Sequence, residues 1–140
     1  MNTGEKRARA IEGQSEWPAS YPQQELTGKI LECAFAVHNL LGAGFLERVY
    51  SNVLILELRS HGLKCVQELP LKVNYKGIVV GDFAADIVVE DVALIELKAC
   101  TALDPNHRAQ VINYLRASGI QVGLLMNFGR PRLEYERFVY

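Results

Sequence analysis

Residues 82–100 read Asp82-Phe83-Ala84-Ala85-Asp86-Ile87-Val88-Val89-Glu90-Asp91-Val92-Ala93-Leu94-Ile95-Glu96-Leu97-Lys98-Ala99-Cys100, and no other stretch constrains the fold as much. A strand points successive side chains to opposite faces. Here the odd positions Phe83, Ala85, Ile87 and Val89, then Ala93, Ile95, Leu97 and Ala99, are apolar, while the even ones include Asp82, Asp86, Glu90, Glu96 and Lys98. If the two segments pair as a hairpin, their apolar faces must coincide, because a one-residue slip would move a whole hydrophobic set to the wrong side. Coincidence needs an odd-length loop, and Glu90-Asp91-Val92 is the shortest that serves. That register sets Asp86 opposite Glu96 and leaves Lys98 on the same face one pleat along.

Charges on strands this apolar need a compensating partner, since burying an ion costs several kcal/mol. Two carboxylates facing each other across a ladder repel unless a cation lies between them. An all-oxygen donor set suits a hard divalent ion, Mg²⁺ or Mn²⁺. The alternative for an isolated D…ExK pattern is a solvent-exposed strand face with a Glu–Lys pair, and the short pattern alone leaves it open.

The chain has 140 residues, 49% hydrophobic and 22% charged, which is one domain's worth with enough apolar side chains for a core. Its formal net charge of −1 provides no global basic field to capture nucleic acid, so any phosphate binding must come from a local patch. Cys33, Cys65 and Cys100 are odd in number and widely spaced among apolar neighbours. No CxxC pair and no Cys/His spacing typical of zinc is present, so reduced, buried thiols in a cytoplasmic protein are the expectation. No apolar run approaches the roughly 18 residues that span a bilayer, and the N-terminus lacks an apolar signal core.

Residues 1–24 are polar and aperiodic, and read as a flexible tail with a weak helical turn near 7–12; Trp17 and Tyr21 are its candidates for docking. The domain expected over 25–140 begins with a helix at 27–41, with Thr27 as N-cap, followed by a well-buried helix at 46–60. Strand-like runs follow at 64–68 and 71–75, interrupted by Pro70 as on an edge strand or bulge. A turn at Lys76-Gly77 leads into 78–89, then 93–99. Asp104-Pro105 starts a helix that runs to about residue 117. Strands at 121–127 and 133–140 complete an α-α-β-β-β-α-β-β order, an α/β chain with a mixed sheet flanked by helices.

Two helical patterns join the strand carboxylates. Glu47 and Tyr50 lie at i and i+3 in Gly44-Phe45-Leu46-Glu47-Arg48-Val49-Tyr50, and Gln110 and Tyr114 lie at i and i+4. Each has a plain structural reading as well: a first-turn acid on the helix dipole, an exposed glutamine, tyrosines at a core edge. A GxxExxY segment, then D…ExK on paired strands, then QxxxY on the next helix together resemble the PD-(D/E)XK phosphodiesterase superfamily, and within it the group named after its GxxExxY motif. The resemblance runs from about Ile30 to the C-terminus, including Val122-Gly123-Leu124-Leu125-Met126-Asn127-Phe128.

It implies a restriction-endonuclease-like αβββαβ core, here with an extra N-terminal helix. By the resemblance, Asp86 and Glu96 match metal-binding carboxylates, Lys98 the catalytic lysine, and Glu47 a helical acid that reaches the metal. Gln110 and Tyr114 match positions that shape the site and contact the nucleic-acid backbone. The residue before the aspartate is Ala85 rather than proline, and Ala84 stands where relatives often carry a basic or polar side chain. The implied activity is hydrolysis of nucleic acid, with DNA ends, flaps or branched structures as expected substrates. Mg²⁺, or Mn²⁺ in its place, would be held by Asp86, Glu96, Glu47 and the Leu97 carbonyl. His107, in the first turn of its helix, is a candidate phosphate contact beside its plain reading as an exposed histidine. A homodimer would widen the surface offered to a duplex. The competing expectation is a non-catalytic nucleic-acid- or protein-binding module that keeps the nuclease fold.

Overall fold

Glu90 and Asp91 both take left-handed backbone conformations, φ +52° and +59°, and turn the chain from β3 (Ile78–Val89) into β4 (Ala93–Lys98). The computed structural model describes residues 22–140 and the backbone of 9–12. Ile87 pairs with Ile95, Val88 with Leu94 and Val89 with Ala93, the register expected from the alternation. Upstream, β2 (Cys65–Tyr75) joins β3 through Lys76-Gly77, whose φ of +49° and +81° are those of the tight turn that matches strand twist. β2 is continuous through Pro70, which pairs with Ala84 of β3; β2 is the outermost strand on that side, where a proline is tolerated.

The sheet is completed by β5 (Val122–Asn127), β6 (Glu134–Val139) and β1 (Arg9–Glu12), in the order β1-β6-β5-β4-β3-β2. All neighbours are antiparallel except β4 and β5, which run parallel and are joined by the helix α3 (Pro105–Ser118). The pairing of residues 9–12 with β6 replaces the helical turn expected there: the backbone gains a partner along an otherwise open edge. Trp17 and Tyr21 lie outside the described residues.

Alternation along β4 and β5 sorts side chains into two cores. Ile95, Leu97, Leu124 and Met126 face α1 (Gln24–Leu41) and α2 (Glu47–Ser60), packing with Ile30, Ala34, Tyr50, Leu54 and Leu58. Leu94 and Leu125 face α3, packing with Val111, Tyr114 and Leu115. Each fully buried Ile or Leu contributes about 1.5–3 kcal/mol to this three-layer arrangement. Among the described residues no helix is long and apolar enough to cross a membrane.

Four local expectations are corrected. α1 starts at Gln24 rather than Thr27, so Thr27 lies buried inside the helix and its hydroxyl donates to the Gln24 carbonyl instead of capping. α2 is less buried than expected: Leu54 and Leu58 are inside, whereas Leu56 is 66% exposed. Cys100 is half-buried, unlike Cys33 and Cys65, and all three thiols are free. The single apolar face expected of β3 is also split. Ile87 and Val89 pack toward α1 and α2, but Ala85 packs toward α3 and Phe83 lies against Tyr114 at 5.7 Å. The change falls at Asp86, where the β2–β3 ladder passes from Gln67–Ile87 to Leu69–Ala85 without a Glu68–Asp86 pair; Glu68 is left-handed, φ +56°.

Candidate active site

The β3–β4 ladder ends at Ile87–Ile95, and one residue further on side chains replace the backbone pairing. The Asp86 N–H donates to Glu96 Oε1 at 3.1 Å, and the Leu97 N–H donates to Asp86 Oδ2 at 2.7 Å. Each carboxylate thus accepts from the opposite strand, which holds both side chains in the gap where the strands part. Asp86 is half-buried and Glu96 is 3% exposed.

The electrostatics follow from that burial. Loss of water, and then the neighbouring Asp86 charge, push the Glu96 carboxyl up to about 8, outweighing the Leu-rich strand's one nearby cation, Lys98. Burial likewise raises Asp86, although the Leu97 N–H and Lys98 pull against it. At neutral pH the pair therefore holds a proton between them in preference to two full charges. An added cation would remove the reason for that proton.

Lys98, the last residue of β4, points toward α3, where its Nζ donates to Gln110 Oε1 at 2.8 Å. Gln110 Nε2 in turn donates to the Tyr114 hydroxyl at 3.1 Å. Burial, then the charge of Glu96, raise the Tyr114 phenol, so it stays protonated beside the carboxylates. The i, i+4 spacing on α3 is what allows one helix face to carry both partners.

Glu47 opens α2 and is more exposed than the strand carboxylates. Its carboxyl is raised by partial burial first and by the Asp86 charge second, and lowered by Lys98 and His107, so it shares their field. His107 sits at the start of α3 and completes a capping box: its Nδ1 accepts the Asp104 N–H at 3.2 Å, while Asp104 Oδ1 accepts the N–H groups of Asn106 and His107. With Nδ1 accepting, Nε2 carries the hydrogen of the neutral ring. Those two backbone N–H groups also draw the exposed Asp104 carboxyl down.

Tyr50 does not share Glu47's surroundings. It is fully buried, stacked on Phe128 at 4.8 Å, with its hydroxyl donating to the Gly42 carbonyl and accepting the Phe45 N–H at 3.2 Å. It therefore pins the loop between α1 and α2, in which Gly44 has φ +113°, and so sets where Glu47 starts its helix.

Two contributors escaped the sequence reading. Glu68, opposite Asp86 on β2, adds a charge that raises Asp86 and forms an ion pair with Arg48, one residue past Glu47. Asn127 is fully buried and clamps the chain just after Lys98: its amide receives the Cys100 N–H at 3.0 Å and donates to the Cys100 carbonyl at 3.0 Å. The left-handed Glu68 has no local signature, and only the contact with Cys100 reveals Asn127.

No curated protein matches the chain. A solved structure described as the crystal structure of SSO0001 is similar over 81% of this chain at 20% identity, with a TM-score of 0.46. The chain spans 57% of the length of that structure. Residues 24–138 match the family model described as PD-(D/E)XK nuclease superfamily, from the first turn of α1 to the end of β6. With that match covering most of its length, and with Asp86, Glu96 and Lys98 gathered where β3 and β4 part, the chain belongs to the PD-(D/E)XK nuclease superfamily.

Proposed function

We propose that this chain is a phosphodiesterase that uses Mg²⁺, or Mn²⁺ in its place, to hydrolyse DNA at ends, flaps or branched structures, and that it falls in the superfamily's GxxExxY group. The observation that carries the reading is the Asp86–Glu96 pair, two carboxylates forced together in a half-dry gap with Glu96 raised to about 8. The donor set fits a hard divalent cation: Asp86 and Glu96 oxygens, the Leu97 carbonyl and, from α2, Glu47. Bound there, the ion would polarise a phosphate oxygen and make an adjacent water acidic enough to attack.

The chain's own residues divide the remaining work. The Leu97 and Asp86 N–H groups fix the two carboxylates and so spare them the cost of reorganising on binding. Lys98 carries three N–H donors, of which Gln110 takes one, leaving two to orient the attacking water or to offset charge on the phosphate. Tyr114 holds Gln110 in turn, and Gln110 and Tyr114 present polar atoms to the nucleic-acid backbone. Glu47 supplies further negative charge from the helical side, and His107 presents its Nε2–H from the start of α3.

The test is cleavage of single-stranded, duplex, flapped and branched DNA by the purified chain with Mg²⁺ or Mn²⁺. Product that disappears in Lys98→Ala and Asp86→Asn supports the reading. Intact DNA throughout, together with divalent binding that Asp86→Asn leaves unchanged, would instead favour a non-catalytic binding module on the same fold.

A further inference from the structure

The two N-terminal helices bring together three side chains that the proposed hydrolysis does not use. Cys33 lies midway along α1, Glu57 in the last turn of α2, and His61 caps that helix one turn further on. One ligand atom from each, the Cys33 sulfur, a Glu57 oxygen and a His61 nitrogen, all lie within 4.8 Å of one another. His61 Nε2 is 2.9 Å from a Glu57 oxygen, the i, i+4 pairing that a helix end allows. The three are graded outward: Cys33 is fully buried, Glu57 partly and His61 exposed.

A buried cysteine is ordinarily a small apolar filler. This one has a Glu57 carboxylate oxygen and a His61 ring nitrogen within 4.8 Å of its sulfur. Such surroundings oppose a bare thiolate but favour a cation that takes the thiolate as ligand. Sulfur, imidazole nitrogen and carboxylate oxygen together suit Zn²⁺, whose four-coordinate sites accept this mixture, whereas Mg²⁺ selects oxygen alone. We propose that Cys33, Glu57 and His61 form a zinc site, separate from the strand carboxylates, that ties the end of α2 to α1 and keeps its fourth position toward solvent. On binding, the Cys33 S–H proton passes to water and the sulfur–metal bond takes its place.

Cobalt(II) titration of the metal-free full chain tests this directly. The expected result is a near-ultraviolet thiolate-to-cobalt band with tetrahedral visible bands, both displaced by Zn²⁺. Asp86→Asn, Cys65→Ser and Cys100→Ser should leave them intact. Cys33→Ser should abolish the near-ultraviolet band, and His61→Ala and Glu57→Gln should weaken binding at least about tenfold. His61 is exposed, so its alanine variant leaves the core untouched and keeps the test decisive if Cys33→Ser does not fold. Absence of a thiolate band in the unmodified chain, or a band unmoved by His61→Ala, overturns the proposal.

Discussion

Lys98 Nζ and Gln110 Oε1 are 2.8 Å apart, which ties the last residue of β4 to the middle of α3 across the α3-side core. The contact aims the ammonium along the face that also carries Asp86 and Glu96. Lys98→Ala is expected to lower kcat by about 10²–10⁴, the range for a positioned group that handles protons or charge in the transition state. Gln110→Leu keeps the lysine but removes its guide, so a smaller fall in kcat with an unchanged melting temperature is expected. Steady-state cleavage rates beside thermal unfolding curves separate the two.

The carboxylate pair predicts a distinctive pH dependence. Glu96 is raised from an ordinary 4.5 to about 8, so between those values the folded chain holds more protons than the unfolded one. The stability that Glu96 contributes to the metal-free protein is therefore fully present below the ordinary value and is lost as pH rises through about 8. Glu96→Gln should flatten that decline. Mg²⁺ should act in the opposite sense, because its binding displaces the shared proton. Its affinity should rise by up to about tenfold per pH unit while one proton is released. Melting temperatures with and without Mg²⁺ from about pH 5 to about pH 9 check both slopes.

Much of this arrangement is legible in the residues. The alternation over 82–99 specifies the hairpin register, and hence that Asp86 faces Glu96, because slippage would expose a whole apolar set. The i, i+4 spacing of Gln110 and Tyr114 places them on one helix face. What escapes is what depends on distant partners. The swap of faces at Asp86 follows from a left-handed Glu68 on the neighbouring strand, and no property of residues 82–89 announces it. Tyr50 reads as a companion of Glu47 by spacing, yet the Phe128 ring draws it into the core. Cys33, Glu57 and His61 meet only because α1 and α2 pack side by side.

The role of Tyr50 can be isolated by deleting one atom. Tyr50→Phe keeps the ring stacked on Phe128 but leaves the Gly42 carbonyl and the Phe45 N–H without their buried partner. A loss of about 1–3 kcal/mol is expected in denaturant unfolding. Because the freed loop leads into Glu47, kcat should also fall about ten- to a hundredfold, the scale for displacing a reactive group by about 1 Å. Unchanged kcat with lowered stability would confine Tyr50 to packing.

Two glycines should respond very differently to the same added methyl. At Gly123 a new Cβ would lie 2.9 Å from Val111 Cγ1 and 3.2 Å from Leu115 Cδ1, both side-chain ends on α3 that can shift. At Gly129 it would run into the Cys100 nitrogen and oxygen, both backbone. The Cys100 backbone cannot retreat without breaking its hydrogen bonds to the Asn127 amide, which also receives the Gly129 N–H at 3.0 Å. Gly123→Ala is therefore expected to cost about 1–2 kcal/mol and Gly129→Ala about 3 kcal/mol or more. The Lys98 carbonyl accepts the Phe128 N–H at 2.8 Å, so a shifted 127–129 segment pulls on the end of β4 itself. Gly129→Ala should consequently lose cleavage activity under conditions where it is still folded, whereas Gly123→Ala should lose stability alone. Unfolding midpoints and cleavage rates measured on the two variants together distinguish these outcomes.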